Sequence, residues 1–265
     1  MMQMEMIALV CVAALVLISA LLCIVIARLQ SRHVFRCKHC GGTFHPRWTQ
    51  LLFEAHALRE HRIRCPLCNV KDFCEDQGRM TMKKIDERIT YLPASSDPLS
   101  ADVYFIYGDQ FCYIYDVGNN PQALEQIQGI DKEKVVILSH YHKDHTGNIS
   151  DIHCRELYVG QLTRETIGKG TVVEDSLTIR DGVKIVIMPC PSPHVDGSLI
   201  VNVDSKYTLI ADLYFTRPPF DREKAMQMLD TLAGMDTEFF VVSHQEKEKV
   251  IEKARLIGEL RVHFG

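Results

Sequence analysis

The segment 139–145, with the sequence SHYHKDH, places three imidazoles and one carboxylate within seven residues. It follows the apolar run VVIL directly, so these polar groups lie at the end of a predicted buried strand. Imidazole and carboxylate are ligands that transition metals favour in proteins. The period-2 rule for strands predicts that His140 and His142 point to one side, whereas Asp144 and His145 follow in the turn. One compact segment therefore offers ligands to two metal ions.

Three more candidate ligands follow apolar runs later in the chain. His194, Asp212 and His244 each come after a segment that predicts a strand. Scaffolds usually carry chemistry where strand ends meet loops. One isolated His or Asp is more often a surface residue or a helix cap, but this ordered set predicts a metal site.

Two CxxC pairs form a second group of candidate ligands. Cys37 and Cys40 are separated from Cys65 and Cys68 by 24 residues. Each pair lets two thiolates reach one ion from a tight turn, and four thiolates complete a closed tetrahedral site. The pattern resembles prokaryotic zinc-ribbon modules, although its CPxC knuckle is shared with rubredoxins, which hold iron. Because no other redox motif is visible, we expect one structural zinc ion.

The role of the ribbon stays open between a metal-stapled spacer and a module that recruits a partner or substrate. About 40 residues cannot build an adequate core unaided. The stretch 48–58 predicts a short amphipathic helix between the knuckles, and Cys74 is expected to be a spare thiol. Four histidines are expected at the surface or beside the knuckles, because four cysteines already fill the shell: His39, His45, His56 and His61.

Residues 7–27 contain no charged residue, proline or glycine and are long enough to cross a bilayer core as a helix. We interpret them as a transmembrane helix. A cleaved signal peptide is the alternative, but the usual basic start, short apolar core and A-x-A site are missing. Glu5 is the only charged residue before the helix and several arginines follow it. The positive-inside rule therefore places the C-terminal bulk in the cytoplasm.

Charge differs between the two soluble parts of the chain. Residues 28–80 carry 10 Lys/Arg against 5 Asp/Glu, whereas residues 81–265 carry 20 against 28. Anionic lipid headgroups would favour the basic segment beside the membrane. The acidic C-terminal part argues against a nucleic-acid substrate. In a reducing compartment the CxxC pairs are better explained by metal than by disulfides.

From residue 81 onward, β-rich segments and turn signals alternate with helical segments. Hairpins are predicted at 103–115, 176–188 and 198–211, and further strands at 135–138 and 239–242. Helices are predicted at 121–128, 221–232 and 246–258, with a short one after 146–148. This order predicts an α+β fold with two sheets packed face to face and helices outside, an αββα sandwich.

The motif HxHxDH at 140–145, the three later ligands and the turn Asp116-Val-Gly resemble the metallo-β-lactamase fold superfamily. The resemblance covers residues 81–265. It implies two metal ions, one held by His140, His142 and His194, the other by Asp144, His145 and His244, with Asp212 bridging both. A carboxylate at Asp212, where many true β-lactamases have a thiolate or histidine, argues against antibiotic hydrolysis.

This resemblance implies metal-assisted hydrolysis of a small-molecule ester, thioester, lactone, amide or phosphodiester. Two zinc ions are expected, with iron or manganese as alternatives. Asp144 is the candidate to orient the nucleophile or take a proton. Tyr214, Thr216 and Arg217 are candidates to line the pocket, whereas Lys143 is expected in solvent and Cys190 in the core.

Two other functions stay open. An iron-dependent oxidoreductase is possible because members of this superfamily with iron in the site oxidise sulfur compounds or reduce oxygen and nitric oxide. A non-catalytic membrane scaffold is the other, although a complete ligand set argues against it. In either case we expect three parts, namely an anchor at 1–28, a zinc ribbon at 29–80 and a catalytic domain at 81–265.

Overall fold

The structure of the 265-residue chain is a computed structural model. It describes residues 2–52, 54, 56–57, 59–214, 220–245 and 248–264. The chain forms two compact units. The N-terminal unit comprises residues 1–80 with 96–98, and the C-terminal unit comprises residues 81–95 with 99–265.

The N-terminal unit begins with one long helix, α1 (Met2–Gln30). Its stretch Val10–Gln30 has a mean hydropathy of 3.2, and only 6% of it is buried. The helix is therefore long and apolar enough to span a membrane, a property that signal sequences share. Its last turn differs, because Ala27 is buried in the small core of this unit.

A five-stranded antiparallel sheet follows the helix. Its strands are β1 (Phe35–Cys37), β2 (Thr43–Phe44), β3 (His56–Ala57), β4 (Glu60–Arg64) and β5 (Lys71–Asp76), in the order β2-β1-β5-β4-β3. Between β2 and β3 lies a short helix, α2 (Trp48–Leu52). The predicted helix over 48–58 is wrong after Leu52, because the chain turns there into β3, which pairs with β4.

The histidines of this unit differ from one another in burial. His39 is exposed, as predicted. His45 is half-buried, and its Nδ1 lies 3.0 Å from the carbonyl oxygen of His33. Of the two places predicted for His61, the surface is excluded, since His61 is 4% exposed and its ring packs edge-on against Phe35. The side chain of His56 lies outside the described part of the chain.

The rest of the chain alternates strands and helices. The strands are β6 (Lys83–Lys84), β7 (Ile89–Leu92), β8 (Ser95–Ser96), β9 (Leu99–Ser100), β10 (Val103–Tyr107), β11 (Phe111–Tyr115), β12 (Glu133–Ile137), β13 (Glu156–Val159), β14 (Thr171–Val172), β15 (Leu177–Arg180), β16 (Lys184–Cys190), β17 (Ser198–Val203), β18 (Tyr207–Ala211), β19 (Phe239–Val242) and β20 (Val250–Glu252). The helices are α3 (Pro121–Gln128), α4 (Lys143–Thr146), α5 (Gln161–Ile167), α6 (Arg222–Gly234) and α7 (Lys253–Phe264), with a 3-10 turn at Ile149–Asp151.

These strands form two large sheets. The first has the order β14-β13-β12-β11-β10-β7-β6 and the second the order β15-β16-β17-β18-β19-β20. In the first sheet β11 and β12 are parallel, so both end at the same edge. In the second sheet β16, β18 and β19 point the same way, because β17 is antiparallel to both β16 and β18, and β19 is parallel to β18. The segments after these strands therefore leave from a common edge of each sheet.

The largest core lies between the two sheets. It combines side chains of β10–β12 with side chains of β16–β19, among them Tyr104, Tyr115, Ile137, Ile187, Leu199, Val201, Leu209 and Val241. A second core covers the other face of the second sheet, where Ile200, Ile210 and Phe240 pack against α6 and α7. The predicted αββα sandwich is confirmed. Alternate residues of the central strands are buried on opposite faces, as two covered faces require.

Most of the predicted elements of this unit are confirmed, including the three hairpins and α3. The predicted helix over 246–258 is wrong in its first half, because Val250–Glu252 pairs with β19 as an edge strand and α7 begins at Lys253. Residues 246–247 lie outside the described part. Strand β13 and helix α5 were not predicted, because the polar residues around Leu157 and Thr163 mask their periodicity.

Two valines test the inter-sheet core. Val201 is fully buried in it, whereas Val262 on α7 is 87% exposed. We expect Val201→Ala to lower the free energy of unfolding by about 1.5–3 kcal/mol, since it removes buried methyl groups and leaves a cavity. Val262→Ala should change it by less than about 0.5 kcal/mol. Urea denaturation of the chain in detergent measures both, and equal losses would contradict the packing described.

Candidate metal centre

Three histidines from two loops form the first half of the site. His140 and His142 follow β12, and His194 follows β16. His140 Nε2 and His142 Nδ1 lie 3.1 Å apart, and ligand atoms of the three rings lie within 4.8 Å of one another. The strand ends at Ile137, so the period-2 argument for the two neighbouring histidines is wrong. The loop after the strand, and not the strand, brings them together.

Asp144, His145, Asp212 and His244 form the second half, again with ligand atoms within 4.8 Å of one another. Asp212 Oδ2 lies 3.2 Å from His145 Nε2 and 3.5 Å from His244 Nε2. The same oxygen is 4.0 Å from His194 Nε2 in the first half. Asp144 Oδ2 is 3.2 Å from His244 Nε2. Asp212 therefore lies between the two halves.

The carboxylate of Asp116, which is 1% exposed, holds two of these imidazoles from behind. His145 Nδ1 donates to Asp116 Oδ2 over 2.7 Å. The backbone N–H and the hydroxyl of Ser139 donate to the same carboxylate, and His140 Nδ1 donates to the Ser139 hydroxyl over 2.9 Å. In the tautomers that this network requires, the Nε2 lone pairs of His140 and His145 face the site. The sequence did not predict that Ser139 links His140 to Asp116.

The buried imidazoles differ in charge. Burial lowers the pKa of His140 well below its usual value, and it lowers the pKa of the other two histidines of the first half as well. These rings are therefore neutral, which is the form that binds a metal. Burial would also lower the pKa of His145, but Asp116 and Asp212 outweigh it and raise the pKa. These carboxylates thus favour positive charge at His145, which is either a proton on its Nε2 or a metal ion bound there.

Carboxylates outnumber cationic side chains at this site. Burial would raise the pKa of Asp144, but the imidazoles of His244 and His145 outweigh it and lower the pKa to about 2. Asp144, Asp116 and Asp212 have only histidines as ion-pair partners among the described residues, and no Lys or Arg. Buried negative charge is costly without a cation. A divalent ion is the partner that fits.

The backbone is strained beside these ligands. Asp116, Ala211 and His244 have φ angles of 60°, 45° and 56°, which place them in the left-handed region. Such a conformation costs about 1–3 kcal/mol for each non-glycine residue. Ala211 also lies where the pairing of β18 with β19 shifts register, immediately before Asp212. The strain turns the chain at the strand ends so that the following side chains face one point.

Two ligand atoms support the fit of a metal most directly. His194 Nε2 and Asp212 Oδ1 are buried and have no hydrogen-bond partner within the described part of the chain. Buried polar atoms of native proteins are almost always hydrogen-bonded. Both atoms belong to the seven candidate ligands, and the mixed nitrogen and oxygen donor set suits zinc, iron or manganese.

The four cysteines of the N-terminal unit also converge. Cys37 Sγ and Cys68 Sγ lie 3.9 Å apart, and Cys40 Sγ and Cys65 Sγ lie 3.8 Å apart. A tetrahedral zinc ion with bonds of about 2.3 Å would set its sulfurs about 3.8 Å apart. Cys74 is outside this group, and its Sγ lies 3.6 Å from the carbonyl oxygen of Asp72.

Comparison with known proteins agrees with this geometry. Residues 96–153, which contain Asp116 and the motif at 140–145, match the sequence model of the Metallo-beta-lactamase superfamily. The chain contains a metallo-beta-lactamase superfamily domain. No curated protein matches the chain in sequence.

Solved structures share the fold of this metallo-beta-lactamase domain at low identity. A metallo-beta-lactamase from Pontibacter korlensis has 13% identity and a TM-score of 0.55, with 69% of this chain and 98% of that chain covered. An archaeal superfamily protein from Sulfolobus tokodaii has 15% identity and a TM-score of 0.53, over 67% and 86%. A flavo-di-iron protein variant from Thermotoga maritima has 13% identity and a TM-score of 0.54, over 70% and 62%.

A buried ion pair fixes the His244 loop of the metallo-beta-lactamase domain. Asp102 is fully buried, and its Oδ2 accepts hydrogen bonds from the backbone N–H of His244 at 2.8 Å and from the Ser243 hydroxyl at 3.1 Å. Lys249 Nζ lies 2.6 Å from the same oxygen. The neighbouring Ala101 N–H donates to the carbonyl oxygen of Asp144. Ala101 and Asp102, the two residues before β10, thus fix the backbone of Asp144 and His244 by hydrogen bonds.

The sequence did not predict the pairing of Asp102 with Lys249, because neither residue belongs to a recognisable motif. Asp102 precedes an apolar strand, and Lys249 stands in a charged run that is typical of a solvated helix. Other predictions on single residues hold, since Lys143 is exposed and Cys190 lies in the second core. Tyr214 is half-buried, and its hydroxyl lies 3.4 Å from the carbonyl oxygen of Ser243. Thr216 and Arg217 lie outside the described residues.

The ion pair gives a stability prediction. Lys249→Met should lower the free energy of unfolding by about 3–5 kcal/mol, because it leaves a buried carboxylate without its cation. The double variant Asp102→Asn with Lys249→Met removes both charges and should recover part of the loss. Thermal denaturation at fixed metal concentration measures both.

Lys143→Met is the matched control, since Lys143 is exposed beside the same site. It should leave the stability within about 0.5 kcal/mol of the unchanged protein. A Lys249→Met protein as stable as this control would show that Asp102 does not depend on the pair.

Proposed function

We propose that this protein is a membrane-anchored, metal-dependent hydrolase with a dinuclear, most simply di-zinc, centre. The observation that carries the proposal is the convergence of the seven side chains His140, His142, Asp144, His145, His194, Asp212 and His244 into two adjoining groups. His140, His142 and His194 would hold one ion, Asp144, His145 and His244 the other, and Asp212 would bridge them. Superfamily membership supports the hydrolytic class.

When bound, two divalent ions would supply a nucleophile at neutral pH and polarise the scissile carbonyl or phosphoryl group. The residues of the chain do the positioning. Asp116 and Ser139 fix the tautomers and orientations of His140 and His145. Asp144 is ionised and partly exposed, so its carboxylate can orient the attacking water, whereas its low pKa makes it a weak acceptor of the proton. Its substrate would be a small ester, thioester, lactone, amide or phosphodiester.

We also propose that α1 anchors the chain as a single transmembrane helix, with the catalytic domain at 81–265 on the cytoplasmic side. The burial of Ala27 in the core of the N-terminal unit supports an anchor over a cleaved signal, because the helix end is part of that unit. The arginines that follow the apolar stretch 7–27 and Glu5, which precedes that stretch, support the orientation. The ribbon at 29–80 then joins the anchor at 1–28 to the catalytic domain.

The test is a substrate panel combined with metal analysis on the full chain in detergent, purified without chelator. We expect hydrolysis of at least one ester, thioester, lactone, amide or phosphodiester. Loss of a hydrogen-bond partner of a metal ligand typically lowers activity by about 10–100-fold. His142→Ala removes a candidate ligand itself, so it should lower the hydrolysis rate by more than that. The exposed neighbour change Lys143→Ala is the control and should keep the activity.

The same experiment separates hydrolysis from oxidoreduction. The fold is shared with a flavo-di-iron protein, and the donor set of nitrogen and oxygen also suits iron. If the protein is coloured, contains abundant iron and hydrolyses none of the substrates, the hydrolase proposal is contradicted and the oxidoreductase is favoured. Hydrolysis that persists in His142→Ala would contradict the proposed ligand set.

A second prediction concerns the Cys37, Cys40, Cys65 and Cys68 cluster, which we propose holds one structural zinc ion. Cys65→Ser should lower the bound metal from about three ions per chain to about two and destabilise the N-terminal unit. Cys74→Ser is the matched control, because Cys74 is equally buried in the same unit but outside the cluster. Native mass spectrometry counts the ions. Equal metal loss in both variants would contradict the cluster.

A further inference from the structure

The anchor helix and the ribbon are one packed body within the N-terminal unit. Ala27 of α1 is buried together with Phe35, Phe44, Leu51 and two of the ribbon cysteines, Cys37 and Cys65. The guanidinium of Arg28 lies over the ring of Trp48, 5.1 Å from its centroid. Because α1 packs against α2 through its last turns, the ribbon cannot swing freely about the end of the helix.

This packing fixes the level at which ribbon residues meet the bilayer. The stretch Val10–Gln30 has 21 residues, so at about 1.5 Å per residue it matches a bilayer core of about 30 Å. Arg28 then lies at the boundary between lipid tails and headgroups. Trp48 contacts Arg28, so it lies at the same boundary, where tryptophan is enriched in membrane proteins.

Three arginines, Arg28 and two that are close to Arg28 or Trp48 in sequence, have no acidic partner within the described chain. Arg28, Arg32 and Arg47 are exposed, and within the described chain none of them forms an ion pair with Asp or Glu. In the same unit Lys38 is paired with Glu60 and Lys71 with Glu54, whereas Arg59, Arg62 and Arg64 resemble the three arginines in being exposed and without an acidic partner among the described residues. Unpaired arginines beside an apolar helix are complementary to the phosphates of anionic lipids.

We propose that Arg28, Arg32, Arg47 and Trp48 form a collar that binds anionic phospholipid headgroups and seats the ribbon on the membrane surface. The proposal rests on α1 being the anchor and adds a lipid site that the anchor alone does not require. The arginines bind the phosphates, and the Trp48 ring lies between headgroups and acyl chains. The ribbon is then a rigid mount on the bilayer and not only a spacer.

Trp48 is the only tryptophan of the chain, so its fluorescence reports on the collar alone. The full chain is placed in nanodiscs that contain phosphatidylcholine and phosphatidylglycerol in equal amounts. In one set only the phosphatidylglycerol carries bromine on its acyl chains near the headgroup, and in the other only the phosphatidylcholine. We expect stronger quenching by brominated phosphatidylglycerol, which corresponds to an about fivefold or greater preference and weakens in high salt.

Two triple variants sharpen this test. Arg28→Gln, Arg32→Gln and Arg47→Gln together should abolish the preference. The control changes Arg59, Arg62 and Arg64 to Gln, which removes the same charge from β4 and the turn before it, whereas α1 packs mainly against α2. The control should keep the preference. Equal quenching by both lipids in the unchanged chain, or loss of the preference in both variants, would overturn the collar.

Failure of the anchor is distinguishable from failure of the collar. Vesicles that contain the full chain are washed with alkaline carbonate, which releases peripheral but not transmembrane proteins. Release of the chain would overturn both proposals. Retention in the membrane with equal quenching by the two lipids would overturn the collar alone and leave the anchor standing.

Discussion

The structure of the metallo-beta-lactamase domain depends on one electrostatic constraint, the burial of three carboxylates with imidazoles as their only ion-pair partners in the described part of the chain. Asp116 and Asp212 are almost completely buried, and Asp144 is largely so. Taking such charges out of water costs several kcal/mol for each group unless opposite charge compensates it. The histidines of the first half are neutral and cannot supply that charge, and a proton on His145 would balance only one of the three carboxylates. Cations held among these groups would remove the conflict and would bind the unpartnered atoms of His194 and Asp212.

The two-sheet fold explains how distant residues reach this point. Strands β16, β18 and β19 end at one edge of the second sheet, and β11 and β12 end together in the first. The packed core between the sheets fixes these ends relative to each other. Strained turns at Asp116, Ala211 and His244 then direct the side chains inward. The stability of the core offsets that strain.

Much of this arrangement could be predicted from the sequence, because residue type and position after apolar runs are visible there. The seven candidate ligands and the main hairpins were predicted in this way. What could not be predicted depends on tertiary contacts. The roles of Ser139, Asp102 and Lys249 follow from which strands are neighbours, and β20 is a strand because β19 offers it an edge. Likewise α2 ends at Leu52 because β4 pairs with the chain that follows.

The central claim is that two ions lie among these seven side chains. The most direct measurement is X-ray diffraction from crystals of the full chain purified without chelator, with anomalous maps collected on both sides of the zinc absorption edge. The account predicts two peaks within bonding distance of the ligand atoms of His140, His142, Asp144, His145, His194, Asp212 and His244, with Asp212 shared. An active protein without anomalous density at these side chains would contradict it.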